Sequence, residues 1–178
     1  MNRIERARAA WRNRGQARPS FAAPVDDGQE SVWDYPRPPC VEPDARRVAV
    51  SSEGVLLADT TGAVRVLETA SPPTFYLPPS DVRQEALVRV GGQSFCEWKG
   101  AAAYFALAEA PARPVAWCYE EPFEEFAALA GWFSFYPSLV ACEVAGERVR
   151  PQPGSFYGGW VTDEIVGPFK GERGSESW

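Results

Sequence analysis

Proline and glycine punctuation is the strongest constraint on this chain. Its 178 residues hold 17 prolines and 15 glycines. Between residues 46 and 150 these cut the sequence into apolar runs that suit strands and are too brief for ordinary helices. Residues 47–50 (RVAV) and 55–58 (VLLA) flank Ser51-Ser52-Glu53-Gly54, a hairpin signature. Further strands are predicted at residues 63–68 (AVRVLE), 74–77 (TFYL), 94–98 (SFCEW), 102–108 (AAYFALA), 115–119 (VAWCY), 132–136 (WFSFY) and 139–144 (LVACEV). The last of them turns through Ala145-Gly146-Glu147 into Arg148-Val149-Arg150. One short helix interrupts the strands at residues 122–130, with Phe123, Phe126, Ala127 and Ala130 on one face and Gly131 at its end. Asp81-Val82-Arg83 reads as a turn or helix start capped by Ser80 or Asp81. The pattern predicts a mainly β fold: a single compact antiparallel domain, a bent sheet or sandwich, over residues 46–150.

The flanks read differently. Residues 2–14 contain good helix formers and stop at Gly15, which predicts a short basic helix whose stripe of Ile4, Ala7 and Trp11 is thin. Residues 16–44 carry Pro19, Pro24, Pro36, Pro38, Pro39 and Pro43, so residues 1–45 form a basic helix and an extended arm, which Trp33 and Tyr35 pin to the body. The tail, residues 151–178, holds Phe156, Tyr157, Trp160 and Phe169. It is expected to pack across the body to about Lys170 and then fray.

Composition excludes several function classes. Histidine is absent, which removes imidazole bases, Ser-His-Asp and Cys-His pairs and every His-containing zinc or iron site. The net charge is −6, yet six arginines and only Glu5 fall in the first 18 residues, leaving 12 basic and 23 acidic residues in the rest. Phosphate backbones are repelled by such a body, so nucleic acid is not an expected partner of the main domain. Lys99 and Lys170 are the only lysines. Cys40, Cys96, Cys118 and Cys142 form no close pair, so no metal and no cofactor are expected. No segment reaches the roughly 18 apolar residues of a membrane span, and no signal-type apolar stretch opens the chain. The expected location is the cytoplasm, with reduced thiols.

Chemistry concentrates in Phe95-Cys96-Glu97-Trp98-Lys99-Gly100. Strand alternation sends Cys96 and Trp98 to one face and Glu97 and Lys99 to the other. Gly100 lets backbone N–H groups approach an anion held by Lys99; the plainer alternative is a surface lysine in a strand-end turn. Cys96 is either a thiol activated by Lys99 or a packed core residue. Arg65 and Glu68 are three positions apart, so a regular strand aims them to opposite faces unless a bulge or 3₁₀ turn intervenes. If Arg65, Tyr76 and Lys99 converge, they form an anion-recognising pocket with Glu68 as base or arginine partner; a structural salt bridge is the alternative. Tyr104 and Trp117 supply aromatic walls. Glu120-Glu121 and Glu124-Glu125 read as a solvated helix end rather than a metal site.

Taken in order, Gly54-Val55-Leu56-Leu57-Ala58-Asp59-Thr60, Val64-Arg65-Val66-Leu67-Glu68-Thr69, Tyr76-Leu77-Pro78-Pro79-Ser80-Asp81-Val82, the Phe95 to Gly100 cluster, Ala116-Trp117-Cys118-Tyr119, Glu125-Phe126-Ala127-Ala128-Leu129-Ala130-Gly131 and Phe135-Tyr136-Pro137 resemble the bacterial domain of unknown function 427 family, which carries a nucleotidyltransferase-like label. The resemblance covers about residues 46–150, and the WDYPRPP arm and PGSFYGGWVTDEIVGPFKG tail look like the flanks of longer members. It implies a compact bent-sheet fold of the β-tent kind, similar to domains that elsewhere carry a structural zinc. Paired metal-binding cysteines are missing here, as is a Gly-Ser followed by spaced aspartates, so neither zinc nor nucleotidyl transfer is carried over. Three readings stand. The preferred one is a small-ligand binding module for an anionic or nucleotide-like molecule, built from Arg65, Glu68, Tyr76, Cys96, Lys99, Tyr104 and Trp117. The others are an enzyme using Lys99 with Glu68 or Asp81, and an interaction or assembly domain that grips a protein partner or second copy through its N-terminal arm.

Overall fold

The structure, a computed structural model, describes residues 1–154, 156–175 and 178. One helix, α1 (Arg3–Ala9), precedes β1 (Glu30–Ser31), β2 (Cys40–Asp44), β3 (Val48–Ser52), β4 (Val55–Thr60), β5 (Ala63–Glu68) and β6 (Ser71–Tyr76). Then come β7 (Leu87–Cys96), β8 (Gly100–Leu107), β9 (Ala110–Cys118), β10 (Phe133–Phe135), β11 (Ala141–Val144), β12 (Glu147–Arg148), β13 (Arg150–Pro151), β14 (Trp160–Val161) and β15 (Ile165–Val166). Among the described residues the strands make five sheets, ordered β10-β9-β8-β7, β12-β11-β3-β4, β2-β5-β6, β13-β14 and β1-β15. The fold is mainly β and mainly antiparallel, as the punctuation predicts; β1 and β15 run parallel. No helix among the described residues is long and apolar enough to cross a membrane.

The turn chemistry accounts for the tight hairpins. Glu53 and Gly54, between β3 and β4, have φ of 49° and 81°, and Ala145 and Gly146, between β11 and β12, have 52° and 82°. Two successive positive φ values match the right-handed twist of the flanking strands. The main core lies between the two four-stranded sheets, where Val48, Val50, Cys142 and Val144 meet Ala116, Cys118, Phe133 and Phe135. Period-2 alternation then gives β9 a second buried face: Trp117 and Tyr119 point away from that core into another cluster with Val66, Tyr76, Trp98, Phe126 and Leu129. A third cluster joins the arm and tail to β5 through Val32, Trp33, Leu67 and Ile165.

Local departures from the sequence reading have identifiable causes. Residues 122–130 do not form an α-helix; Glu124–Leu129 is a kinked pair of 3₁₀ turns that buries Phe126 and Leu129 and leaves Ala127 and Ala130 exposed. Two large side chains three residues apart suit 3.0 residues per turn better than 3.6. Ser80 and Asp81 cap nothing: the Asp81 carboxylate accepts from Thr60 Oγ1 at 2.6 Å and from Ser80 Oγ at 2.9 Å, pinning the Pro79–Asp81 turn to the end of β4. The basic helix is only seven residues long and opens with an Asn2–Glu5 capping box. Gly15 does not cap it. Gly15 has φ of +74° and presses against the Tyr35 carbonyl, a close approach that leaves no space for a side chain. The arm does pack on the body, with Trp33 fully buried. The tail follows, and Trp178 stacks 5.0 Å from Phe21; the fraying expected beyond Lys170 falls partly on Glu176 and Ser177, which lie outside the described residues.

The tie between arm and body is Arg37, which is 3% exposed. Its guanidinium donates to the Thr69 carbonyl at 2.6 Å, the Asn13 carbonyl at 3.0 Å and Glu68 Oε1 at 3.2 Å, and it lies 4.5 Å over the Trp11 ring. Burial lowers its proton affinity, and Glu68 offsets this only in part. Arg37→Ala removes all three donors at once and leaves buried acceptors unmet. The variant is expected to lose about 3 kcal/mol, typical of breaking a buried charged pair. Urea unfolding should show a lower midpoint at unchanged slope; a loss under about 0.5 kcal/mol, the usual effect of a surface change, would show that the arm is fastened elsewhere.

Candidate functional site

β5 and β6 on one side and β7, β8 and β9 on the other enclose a cavity of about 210 Å³. Alternation along each strand decides what it shows. β5 offers Val66 and Glu68, β6 offers Thr74 and Tyr76, β7 offers Ser94 and Cys96, β8 offers Ala102 and Tyr104, and β9 offers Trp117 followed by Tyr119. Trp11 from the N-terminal segment and Phe156, Tyr157, Gly158 and Lys170 from the tail complete the lining. Six residues singled out in the sequence, Glu68, Tyr76, Cys96, Lys99, Tyr104 and Trp117, therefore meet around one space.

Arg65 does not join them. The β5–β6 pairing steps from Val66↔Thr74 to Glu68↔Ser71, so the extra residue sits in β6 and β5 keeps its regular alternation. Arg65 accordingly points to the opposite face, where its Nη1 donates to Glu30 at 3.1 Å and its Nη2 to Glu42 at 3.4 Å, with Asp44 3.6 Å from Nε. It is part of a structural charge network in a separate surface depression. Asp81 also lies away from the cavity, held by Thr60.

The Cys96 to Gly100 segment also breaks the alternation expected of it. β7 ends at Cys96 and β8 begins at Gly100, so Glu97, Trp98 and Lys99 form the hairpin turn. Freed from the strand period, Cys96, Glu97 and Lys99 all line the cavity while Trp98 enters the second core. Gly100, with φ of +98°, faces the backbone of residues 121–123, so it serves the turn rather than an anion. The turn is gripped from outside: Trp11 Nε1 donates to Glu97 Oε1 at 2.6 Å, and Arg8 Nε donates to the Glu97 carbonyl at 2.7 Å.

Lys99 is 8% exposed. Burial acts against its charge, but the Cys96 sulfur, Tyr76 and Glu68 outweigh it and hold the ammonium above the ordinary lysine range. The Tyr119 and Phe126 rings lie 5.9 and 5.8 Å from Nζ. Burial raises the phenols of Tyr76, Tyr119 and Tyr136, so they stay protonated. Trp117 Nε1 donates to the Tyr76 hydroxyl at 3.3 Å, and the Tyr104 hydroxyl to Ser94 Oγ at 2.7 Å.

Trp11, Gln152, Tyr157 and Lys170 escaped the sequence reading because they come from the arm and tail. The one signal was composition, since both lysines of a chain otherwise served by arginine reach this cavity. Gln152 is the fastener: its Nε2 donates to the Lys170 carbonyl at 2.7 Å and its Oε1 accepts from Gly159 N at 3.0 Å. Gly158 packs against the Trp117 indole at Cη2 and Cζ3, where a Cβ has no room. Lys170 Nζ sits 3.4 Å from the Trp11 ring centroid and donates to the Trp178 carbonyl at 3.2 Å. Burial, and then Arg37, pull its pKa down to about 8 against the partial opposition of Glu68 and Glu97. Among the described residues no group of three His, Cys, Asp or Glu side chains is placed to hold a metal ion.

Two outcomes follow from this arrangement. Between pH 8 and the ordinary lysine value of 10.5 the unfolded chain binds a proton at residue 170 that the folded chain does not, so this group's contribution to stability grows as pH rises. The melting temperature of the wild type relative to Lys170→Met is therefore expected to increase from pH 7 to pH 10, and a constant or falling difference would contradict the burial of this amine. Gly158→Ala is expected to displace the Trp117 ring and change its fluorescence, at a cost of about 1–3 kcal/mol.

No curated protein matches this chain. A family model described as "Domain of unknown function (DUF427)" matches residues 40–146. The match opens on the first residue of β2 and ends in the turn after β11, so it contains the five strands that wall the cavity, while Trp11, Gln152, Tyr157 and Lys170 are supplied by the flanks. With more than half of its length covered, the chain belongs to this family of domains of unknown function.

Proposed function

We propose that this domain binds a small anionic organic molecule in the cavity between β5–β6 and β7–β9. The observation that carries the reading is Lys99: a buried ammonium that lines the cavity and makes no ion pair among the described residues. The neighbours that keep Lys99 charged make no ion pair with it, so its ammonium is left to meet an anionic ligand in a setting where such a bond is strong. Protonated tyrosine hydroxyls supply further donors, and the indole and phenol faces suit a flat apolar part.

Size narrows the ligand. A cavity of 150 Å³ holds about one benzene ring, so 210 Å³ suits a compact acid with a ring or short chain better than a whole nucleotide. The upward direction at Lys99 favours holding an anion over acting as a base, which weighs against an enzyme built on Lys99 with Glu68. Burial of Trp33 and Tyr35 against the chain's own body supports a role for the arm in completing this molecule rather than in gripping a second one. The four unpaired thiols suit a reducing cytoplasm.

The test is a thermal-shift panel of small carboxylates, sugar phosphates and nucleotides on wild type and Lys99→Met. A ligand at 100 times its Kd adds about 2.7 kcal/mol, or roughly 5 °C or more for a chain of this size. Stabilisation by compact anions that disappears in Lys99→Met is the expected result. A panel with no hit, or a hit unaffected by Lys99→Met, would overturn the reading.

A further inference from the structure

Cys96 closes β7 and Lys99 stands just before β8 on the same turn, so thiol and ammonium line one cavity side by side, near enough for the sulfur to favour the charged amine. The other cysteines are placed differently. Cys118 and Cys142 are packed in the main core, where burial raises both thiols, Cys118 to about 11. Cys40 lies on β2 with its sulfur 4.0 Å from Glu42 Oε1, and burial and that carboxylate push its thiol up. Of the four cysteines, Cys96 is the one that lines the cavity, which it shares with the Lys99 ammonium. The grip of Trp11 and Arg8 on Glu97 holds the turn and fixes the two groups relative to each other.

We propose, resting on the anion-binding reading of this cavity, that Cys96 is a nucleophile for small carboxylate-bearing electrophiles, with Lys99 holding the carboxylate while the sulfur attacks. Because sulfur and ammonium are neighbours, the electrophilic carbon must lie next to the carboxylate, as in a 2-substituted acid. The protonated Tyr76 and Tyr119 hydroxyls line the same space and can donate to the second carboxylate oxygen. With iodoacetate as the probe, an S–C bond forms, the C–I bond breaks, iodide departs with the bonding pair and the thiol proton passes to water. Fixing the reacting carbon against a nucleophile in this way raises the rate through orientation alone.

The experiment measures alkylation of the full chain by iodoacetate and by the uncharged iodoacetamide, resolved at each cysteine by peptide mass spectrometry. The urea-unfolded chain is the reference, since the Glu42 carboxylate beside Cys40 itself repels iodoacetate. The ratio of the iodoacetate to the iodoacetamide rate at Cys96 is expected to be at least about tenfold higher in the folded than in the unfolded wild type. In Lys99→Met that excess is lost. Equal ratios in the folded and unfolded wild type, or a folded Cys96 that resists both reagents, overturn the proposal. If compact anions still stabilise the protein in that case, the binding reading survives without a nucleophile. If Cys96 prefers iodoacetate but no panel anion stabilises the protein, stable binding falls and the nucleophile stands.

Discussion

The molecule depends on one buried guanidinium. Arg37 sits at a bend of the arm between Pro36 and Pro38, and it reaches the Thr69 carbonyl, Glu68 and the Asn13 carbonyl with its donors. Those partners belong to the end of β5 and to the N-terminal segment, so one side chain joins the flank to the sheet. It also sets the cavity. Glu68 is oriented from behind by Arg37 Nε, and Trp11 is stacked over the same group before its indole nitrogen turns to Glu97. A buried arginine is stable only when its fork of donors is met, and meeting it fixes both the floor and one wall of the site.

The electrostatics of the cavity follow from the same economy of charge. Lys99 and Lys170 line one space but are shifted in opposite directions: Cys96, Tyr76 and Glu68 hold the first charged, while burial and Arg37 weaken the second. Arginine could not make this division, because a guanidinium stays protonated in either setting. In a chain that uses arginine almost everywhere else, lysine is found where a compact cation and a titratable amine are both useful.

The β fold was legible because glycine and proline mark its boundaries, and β5 was read to the residue. The missed elements were those where tertiary contacts outweigh local preference. Residues 122–130 have a helical composition, but Phe126 and Leu129 bury at a spacing of three and select a 3₁₀ geometry. The six residues around the cavity were visible as types, yet strand alternation placed Glu97 and Lys99 wrongly, because the strand stops at Cys96 and a turn obeys no period of two. The fate of Arg65 depended on which of two strands carries a bulge, and no pattern within β5 shows that β6 does. Trp11, Gln152 and Lys170 lie far from the domain in sequence and enter the site only through the long-range packing of arm and tail.

β7 carries a feature with effects outside the cavity. It is the outer strand of its sheet, and its ladder jumps from Val90↔Tyr104 to Gln93↔Ala103, leaving Gly91 and Gly92 as two surplus residues. On either side, Val88 and Phe95 stand exposed on a strand whose free edge would otherwise invite another chain to add on. The glycine interruption divides that edge into two four-residue segments out of line with each other, and a straight incoming strand can match one of them only. Self-association by edge pairing, the route by which exposed apolar strands grow into aggregates, is held to a length too short to persist.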